Sequence, residues 1–135
     1  AVPDPDLVEA FDVMLTNIPE GYGVTTDEKL NAALVENPDM QLIDVRRVEE
    51  LQENGVIDSG EVVQTHIPLE DFITMKDKWP ADVETDVTVY CGSGHRSTMA
   101  MTMLWTYLYN NALSLKGGFG NWLREGYPVL EYAAP

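Results

Sequence analysis

The stretch YCGSGHRS, residues 90–97, holds the only cysteine of a 135-residue chain, followed by two glycines, a histidine, an arginine and two serines. A free cysteine ordinarily behaves as a small buried hydrophobe. Here the five residues after Cys91 include no large apolar side chain, a composition poor for packing and good for an anion pocket. Gly92 and Gly94 permit positive dihedrals and close approach, so that successive backbone amides can converge on one point above the sulfur. Converging N–H groups, with the positive end of a helix behind them, stabilise a thiolate and any anion next to it. Cysteines in such surroundings titrate at roughly 3.5 to 7.5 rather than about 8.5. Cys91 is therefore the candidate nucleophile, and Gly92, Ser93, Gly94, His95, Arg96 and Ser97 are the candidate anion-binding surround. Arg96 offers permanently charged, forked donors to steady the loop or meet an anion. His95 either adds charge or faces solvent.

Something must hold this loop in place. DVTVY (86–90) reads as a strand running straight into Cys91, and Ser97–Tyr109 is apolar nearly all round, which predicts a buried helix. Upstream, residues 3–21 place Val8, Phe11, Leu15 and Ile18 at helical spacing, with Asp6 and Glu9 as a capping pair. Residues 25–38 predict a second helix, capped by Thr25 and Glu28 and stopped at Asn37 and Pro38. MQLIDV (40–45) reads as a strand and RRVEELQENG (46–55) as a short helix ending at glycine. EVVQTHIP (61–68) predicts a strand, LEDFITMKDKWP (69–80) a helix, and ALSL (112–115) a last short strand before KGGFGNWLREGYPVL (116–130). Strands alternating with helices imply an α/β fold whose mainly parallel central sheet carries helices on both faces. Ligands collect beyond the carboxyl ends of such strands, where Cys91 stands.

Composition narrows the function classes. With 44% hydrophobic and 23% charged residues the chain has the balance of an ordinary globular domain. A net charge of −15 opposes polyanions, so neither nucleic acid nor an acidic membrane surface is an expected partner. One cysteine forms no internal disulfide, and no apolar run approaches the roughly 18 residues of a membrane helix. The first residue is alanine, which leaves both a cytoplasmic address and export after leader removal open.

CGSGHRS resembles the active-site loop of the rhodanese (sulfurtransferase) domains: cysteine, two residues, glycine, one residue, then arginine and serine. LIDVRRVEE (42–50) resembles the family's Asp-Val-Arg segment, and LKGGFGNWLREGYPV (115–129) its Gly-Gly, aromatic, Gly-Tyr-Pro-Val ending. The family's Gly-His-Ile-Pro-Gly-Ala stretch is replaced by GVIDSG (55–60), with Val56 at the histidine position, and THIP follows at 65–68. The resemblance implies a single rhodanese-like domain over 25–135, preceded by a helical extension over 1–24. It also implies that Cys91 takes the outer sulfur of a small donor anion such as thiosulfate, and holds it as a persulfide until a thiol, a protein thiol or cyanide removes it. Asp44 and Arg46 are expected to support the site as an end-of-strand pair, with Arg46 reaching the substrate region as the alternative. No cofactor or metal is expected.

Two other readings share the motif. Tyrosine phosphatases also close an amide cradle around a cysteine with an arginine, but with five intervening residues where this chain has Gly92, Ser93, Gly94 and His95. A rhodanese-like module that binds or senses sulfane sulfur without turnover is the other.

Overall fold

The computed structural model describes residues 1–134. Its elements are α1 (Pro5–Thr16), β1 (Val24–Thr25), α2 (Asp27–Glu36), β2 (Gln41–Asp44), α3 (Val48–Asn54), β3 (Val56–Ile57), β4 (Val63–His66), β5 (Val87–Tyr90), α4 (His95–Thr106), β6 (Ala112–Leu115), α5 (Gly118–Arg124) and β7 (Val129–Leu130). The central sheet has the order β1-β6-β5-β2-β4, with every neighbouring pair parallel, and β3 and β7 form a separate antiparallel pair. This is the α/β architecture that the alternation of strands and helices implies.

Strand β5 is central and buried along its whole length. Its side chains alternate between faces. Val87, Val89 and then Cys91 join a core with Ala100, Met101, Leu104 and Trp105 of α4, whereas Tyr90 joins the opposite core with Leu30 and Leu34 of α2 and Phe119 and Trp122 of α5. The cysteine thus leaves the sheet on the α4 side. The Tyr90 hydroxyl pins the other face, donating to Gln64 Oε1 at 2.6 Å and accepting from the Ile57 amide at 3.3 Å.

Beneath the loops at the carboxyl edge lies a buried ion pair. The side chains of Arg46 and Asp44 are each 1% exposed and meet at 2.8 Å. Arg46 also donates to the Gly55 carbonyl at 2.8 Å, and its guanidinium stacks 4.1 Å from the centre of the Phe119 ring. The pair therefore braces the ends of β2, α3 and α5, and its burial removes Arg46 from any contact with dissolved substrate. In the segment that departs from the family pattern, β3 pairs with β7, and His66 places Nε2 2.6 Å from the Arg46 carbonyl.

Several expectations need correction. Helix α1 is capped by Asp4, whose carboxylate accepts from the amides of Asp6 and Leu7, and its apolar residues Val8, Phe11 and Leu15 are exposed; only Met14 packs against the core. The cap of α2 is Thr26, one residue later than expected. Residues 69–80 form two short 3-10 turns, Leu69–Asp71 and Lys76–Lys78, instead of an α-helix. A helix would give the Phe72 carbonyl to residue 76, but the Trp79 indole N–H takes it at 3.1 Å. Helix α4 starts at His95 rather than Ser97, and buries one face only, with Met99 exposed.

Replacing Arg46 by leucine strands a carboxylate in the core. Arg46→Leu is expected to destabilise the protein by about 3–5 kcal/mol in urea unfolding, and Asp44→Asn/Arg46→Leu by distinctly less, because no buried charge remains. Equal losses in the two variants would show that packing, not charge, sets the cost.

Candidate active site

The loop after β5 turns at Gly94, whose φ of 104° lies in the left-handed region, and α4 begins directly behind it. The first amides of a helix have no partner within it. Two amides around this turn point at the cysteine: Gly94 N–H lies 3.1 Å and Ser97 N–H 3.3 Å from Sγ. As a thiol, Cys91 donates to Ser97 Oγ at 3.5 Å; as a thiolate it accepts from that hydroxyl. Burial pushes the thiol pKa up, but the Ser97 hydroxyl and the amides of Ser97, Ser93 and Gly94 together pull it below the ordinary thiol value. The sulfur is fully shielded, with Cys91 0% exposed.

The Ser97 hydroxyl is itself held. Ser114 Oγ of β6 lies 2.8 Å from Ser97 Oγ, and Thr98 Oγ1 lies 3.2 Å from Ser114 Oγ and donates to the Gly94 carbonyl at 2.7 Å. Ser114 Oγ thus sits between two hydroxyls that both reach the Gly94 carbonyl, Ser97 Oγ at 3.1 Å being the one next to the sulfur. Ser114 and Thr98 were not among the candidate residues; the signal for Ser114 is a lone hydroxyl within the apolar ALSL strand.

From the other side, α5 docks onto the carbonyls of the loop. Phe119 N–H donates to the Cys91 carbonyl at 2.7 Å, and Gly120 N–H to that of Gly92 at 3.0 Å. A Cβ on Gly118 would lie 2.6 Å from the Cys91 oxygen, the Gly92 carbon and the Ser93 nitrogen, so only glycine permits this approach. The Cys91 and Gly92 carbonyls face α5, while the Gly94 and Ser97 amides face the sulfur.

Arg96 does not lie open to an anion. Its Nη1 and Nη2 donate to Glu50 Oε2 and Oε1 at 2.7 and 2.8 Å, a bidentate pair tying the loop to α3. Glu50 is aimed by its own helix end, where Oε2 accepts from the Arg47 amide at 2.9 Å. The Arg96 guanidinium holds the Glu50 carboxyl at about 2, with burial opposing and the Arg47 amide assisting. Sequence reasoning missed Glu50, since the partner that gives it a role, Arg96, lies 46 residues away in the chain. Gly92 sits beside this pair, where a Cβ would come within 3.2 Å of Arg96 Nη2. Ser93 and His95 are exposed at the loop surface. Among the described residues no group of three or more His, Cys, Asp or Glu side chains is placed to hold a metal ion, and no helix is long and apolar enough to cross a membrane.

The sequence model of the rhodanese-like domain matches residues 26–125. The chain belongs to the rhodanese-like domain family. A sulfurtransferase of Allochromatium vinosum is 31% identical over 103 residues, which cover 76% of this chain and 90% of that protein. The solution structure of a polysulfide-sulfur transferase homodimer from Wolinella succinogenes superposes with a TM-score of 0.72 at 26% identity, covering 93% of this chain and 87% of that one. A rhodanese-related protein of Thermoplasma volcanium gives a TM-score of 0.65 at 27% identity, covering 82% of this chain and all of that one. The matched span of the rhodanese-like domain contains Cys91, its loop, Glu50 and Ser114. These relationships support a sulfurtransferase.

Two outcomes follow from the geometry. Ser97→Ala removes a hydroxyl donor while keeping the amide, and is expected to raise the Cys91 pKa, read from the ultraviolet absorbance of the thiolate against pH. An unmoved midpoint would leave the amides as the whole cause. For Glu50, a folded pKa of about 2 against an ordinary 4.5 means a stabilising contribution present above pH 4.5 and lost as pH falls toward 2. The pair is about a third exposed, so Glu50→Gln should cost only about 1 kcal/mol at neutral pH. The gap in thermal midpoint between variant and wild type should close on acidification through that window; a gap independent of pH would refute the assignment.

Proposed function

We propose that this protein is a sulfurtransferase that moves a sulfane sulfur from thiosulfate or a related donor to a thiophilic acceptor through a persulfide on Cys91. The observation that carries this reading is the pair of amides 3.1 and 3.3 Å from a sulfur whose pKa is lowered. The Cys91 thiolate, stabilised by these donors, attacks the outer sulfur of thiosulfate; the new S–S bond forms as the old one breaks, and sulfite leaves with the electron pair. The persulfide then carries the charge on its terminal sulfur. An acceptor thiolate attacks that sulfur and releases Cys91 as thiolate, a double displacement with a covalent intermediate.

The Wolinella succinogenes polysulfide-sulfur transferase, at 26% identity, makes polysulfide a donor to test beside thiosulfate. A small anionic donor and a thiol or protein-thiol acceptor are the partners this chemistry needs, with neither nucleic acid nor membrane involved. Within the same reading, residues 25–135 are the catalytic domain and 1–24 an extension, and Ser93, Gly94 and Ser97 form the cradle for the transferred sulfur. Gly92, His95 and Arg96 shape its rim, and Asp44 and Arg46 support it from below.

Intact mass after incubation with thiosulfate should rise by one sulfur, about 32 Da, reversed by cyanide or dithiothreitol as a covalent intermediate requires. Cys91→Ser should show no gain. If thiosulfate, polysulfide and an organic persulfide all leave the wild-type mass unchanged, the sulfur-transfer reading fails and a non-catalytic module takes its place.

A further inference from the structure

The hydroxyls around the sulfur can be counted proton by proton. Cys91 and Ser97 are 0% exposed and Ser114 is 5% exposed, so the donors and acceptors there must find partners among themselves. A hydroxyl gives one proton, and a carbonyl receives two. Ser97 Oγ has three neighbours for its one proton: Cys91 Sγ at 3.5 Å, the Gly94 carbonyl at 3.1 Å and Ser114 Oγ at 2.8 Å. Distance alone does not choose the sulfur.

Two residues outside the loop make the choice. The Gly94 carbonyl already receives the Thr98 hydroxyl at 2.7 Å and the Thr98 amide at 3.2 Å, which fill both of its lone pairs. Ser114 Oγ meets two groups among the described residues, Ser97 Oγ at 2.8 Å and Thr98 Oγ1 at 3.2 Å. The first is the usual length of an O–H···O bond and the second is longer than the usual range, so Ser114 gives its proton to Ser97. With Gly94 filled and Ser114 acting as a donor, the sulfur is the acceptor left for Ser97. When Cys91 is ionised, three hydroxyl protons then meet three acceptors with none left over: Thr98 donates to Gly94, Ser114 to Ser97, and Ser97 to Sγ. A neutral Sγ is a weak acceptor, so the arrangement favours the charged sulfur over the neutral one.

We propose that Thr98 and Ser114 are positioning residues that aim the Ser97 hydroxyl at Cys91 Sγ, Thr98 by filling the Gly94 carbonyl and Ser114 by donating into Ser97 Oγ, and that they serve the step in which Sγ leaves. The inference rests on the sulfur-transfer reading and assigns the hydroxyls to one of its two half-reactions. During loading, Sγ starts as a thiolate and loses its charge as it bonds to the outer sulfur of the donor. Discharge runs the other way. Cyanide attacks the outer sulfur of Cys91–S–SH; the C–S bond forms, the S–S bond breaks, Sγ departs with the electron pair, and the proton of the outer sulfur passes to water as thiocyanate forms. A stabilised thiolate leaves faster and attacks more slowly. The aimed hydroxyl therefore helps discharge and does not help the attack that loads the enzyme.

Titration of the thiolate absorbance reads the aim of the hydroxyl. Its midpoint should rise in Ser114→Ala and in Thr98→Val, and Thr98→Ser, which keeps the hydroxyl, should rescue the latter. In a Ser97→Ala background neither substitution should move it, because both act through the Ser97 proton. The charged groups around the loop, Arg96 with Glu50, His95, Lys116 and the Asp44–Arg46 pair, are unaltered in all of these variants. Single-turnover rates, taken above the midpoint of every variant so that each sulfur is ionised, separate the half-reactions. Discharge by cyanide should slow about twofold to tenfold in Ser114→Ala, the range of one neutral hydrogen bond, while loading from thiosulfate is unchanged or faster. An unmoved midpoint, or one moved as far without Ser97 as with it, overturns the aiming role. Equal slowing of loading and discharge overturns the assignment to the leaving step. If no donor of any kind loads Cys91, the sulfur-transfer reading fails and takes the discharge role with it, while the titration still decides whether Thr98 and Ser114 aim the hydroxyl.

Discussion

A thiolate removed from water needs compensation, and in this chain it comes almost wholly from backbone amides and one hydroxyl. Amides point to a common centre only when the backbone turns sharply, so the requirement passes to Gly94 at its positive φ. It passes on to the helix that follows, whose first-turn donors are free, and to α5, which must take the carbonyls that the same turn pushes outward. Gly118 is as necessary to the sulfur as Gly94, although it never touches it. The central strand supplies the rest, because its alternation sends Cys91 to the α4 face and anchors Tyr90 in the other core.

Side-chain charge plays a different part. Each arginine near the carboxyl edge of the sheet is matched to a carboxylate, Arg46 within the fold, Arg47 at the surface and Arg96 between loop and α3. These pairs fix distances between elements and add little net field. The positive well at the sulfur is therefore dipolar and short-ranged, set in an acidic body whose repulsion of small dianions weakens as salt shortens the screening length to about 10 Å at 0.1 M.

Much of this was legible from residue types alone. A cysteine amid glycines and serines at a strand-to-helix junction carries its chemistry in its neighbours, and the Asp44–Arg46 pair shows in the adjacency of a strand end and a helix start. What escaped depends on partners distant in sequence. Glu50 is one of several acidic residues of α3 until Arg96 selects it, and Ser114 gains meaning only when β6 lies beside β5. The expected helix over 69–80 failed for a similar reason: a tryptophan side chain claimed a carbonyl that local periodicity had assigned to the backbone. Strands β1, β3 and β7 have two residues each, too few to show any period. The exposed apolar residues of α1 show the reverse case, in which a helical period is real but only Met14 meets a core.

The docking of α5 onto the loop has a consequence for biosynthesis. A ribosome delivers Cys91 well before Gly118, Phe119 and Gly120, and strand β6, which carries Ser114, also emerges in between. Until those residues arrive, the Cys91 and Gly92 carbonyls lack the α5 amides that take them, and the Ser97 hydroxyl lacks Ser114. Because parallel pairing waits on distant segments, the loop reaches its final, docked geometry only with the closed domain.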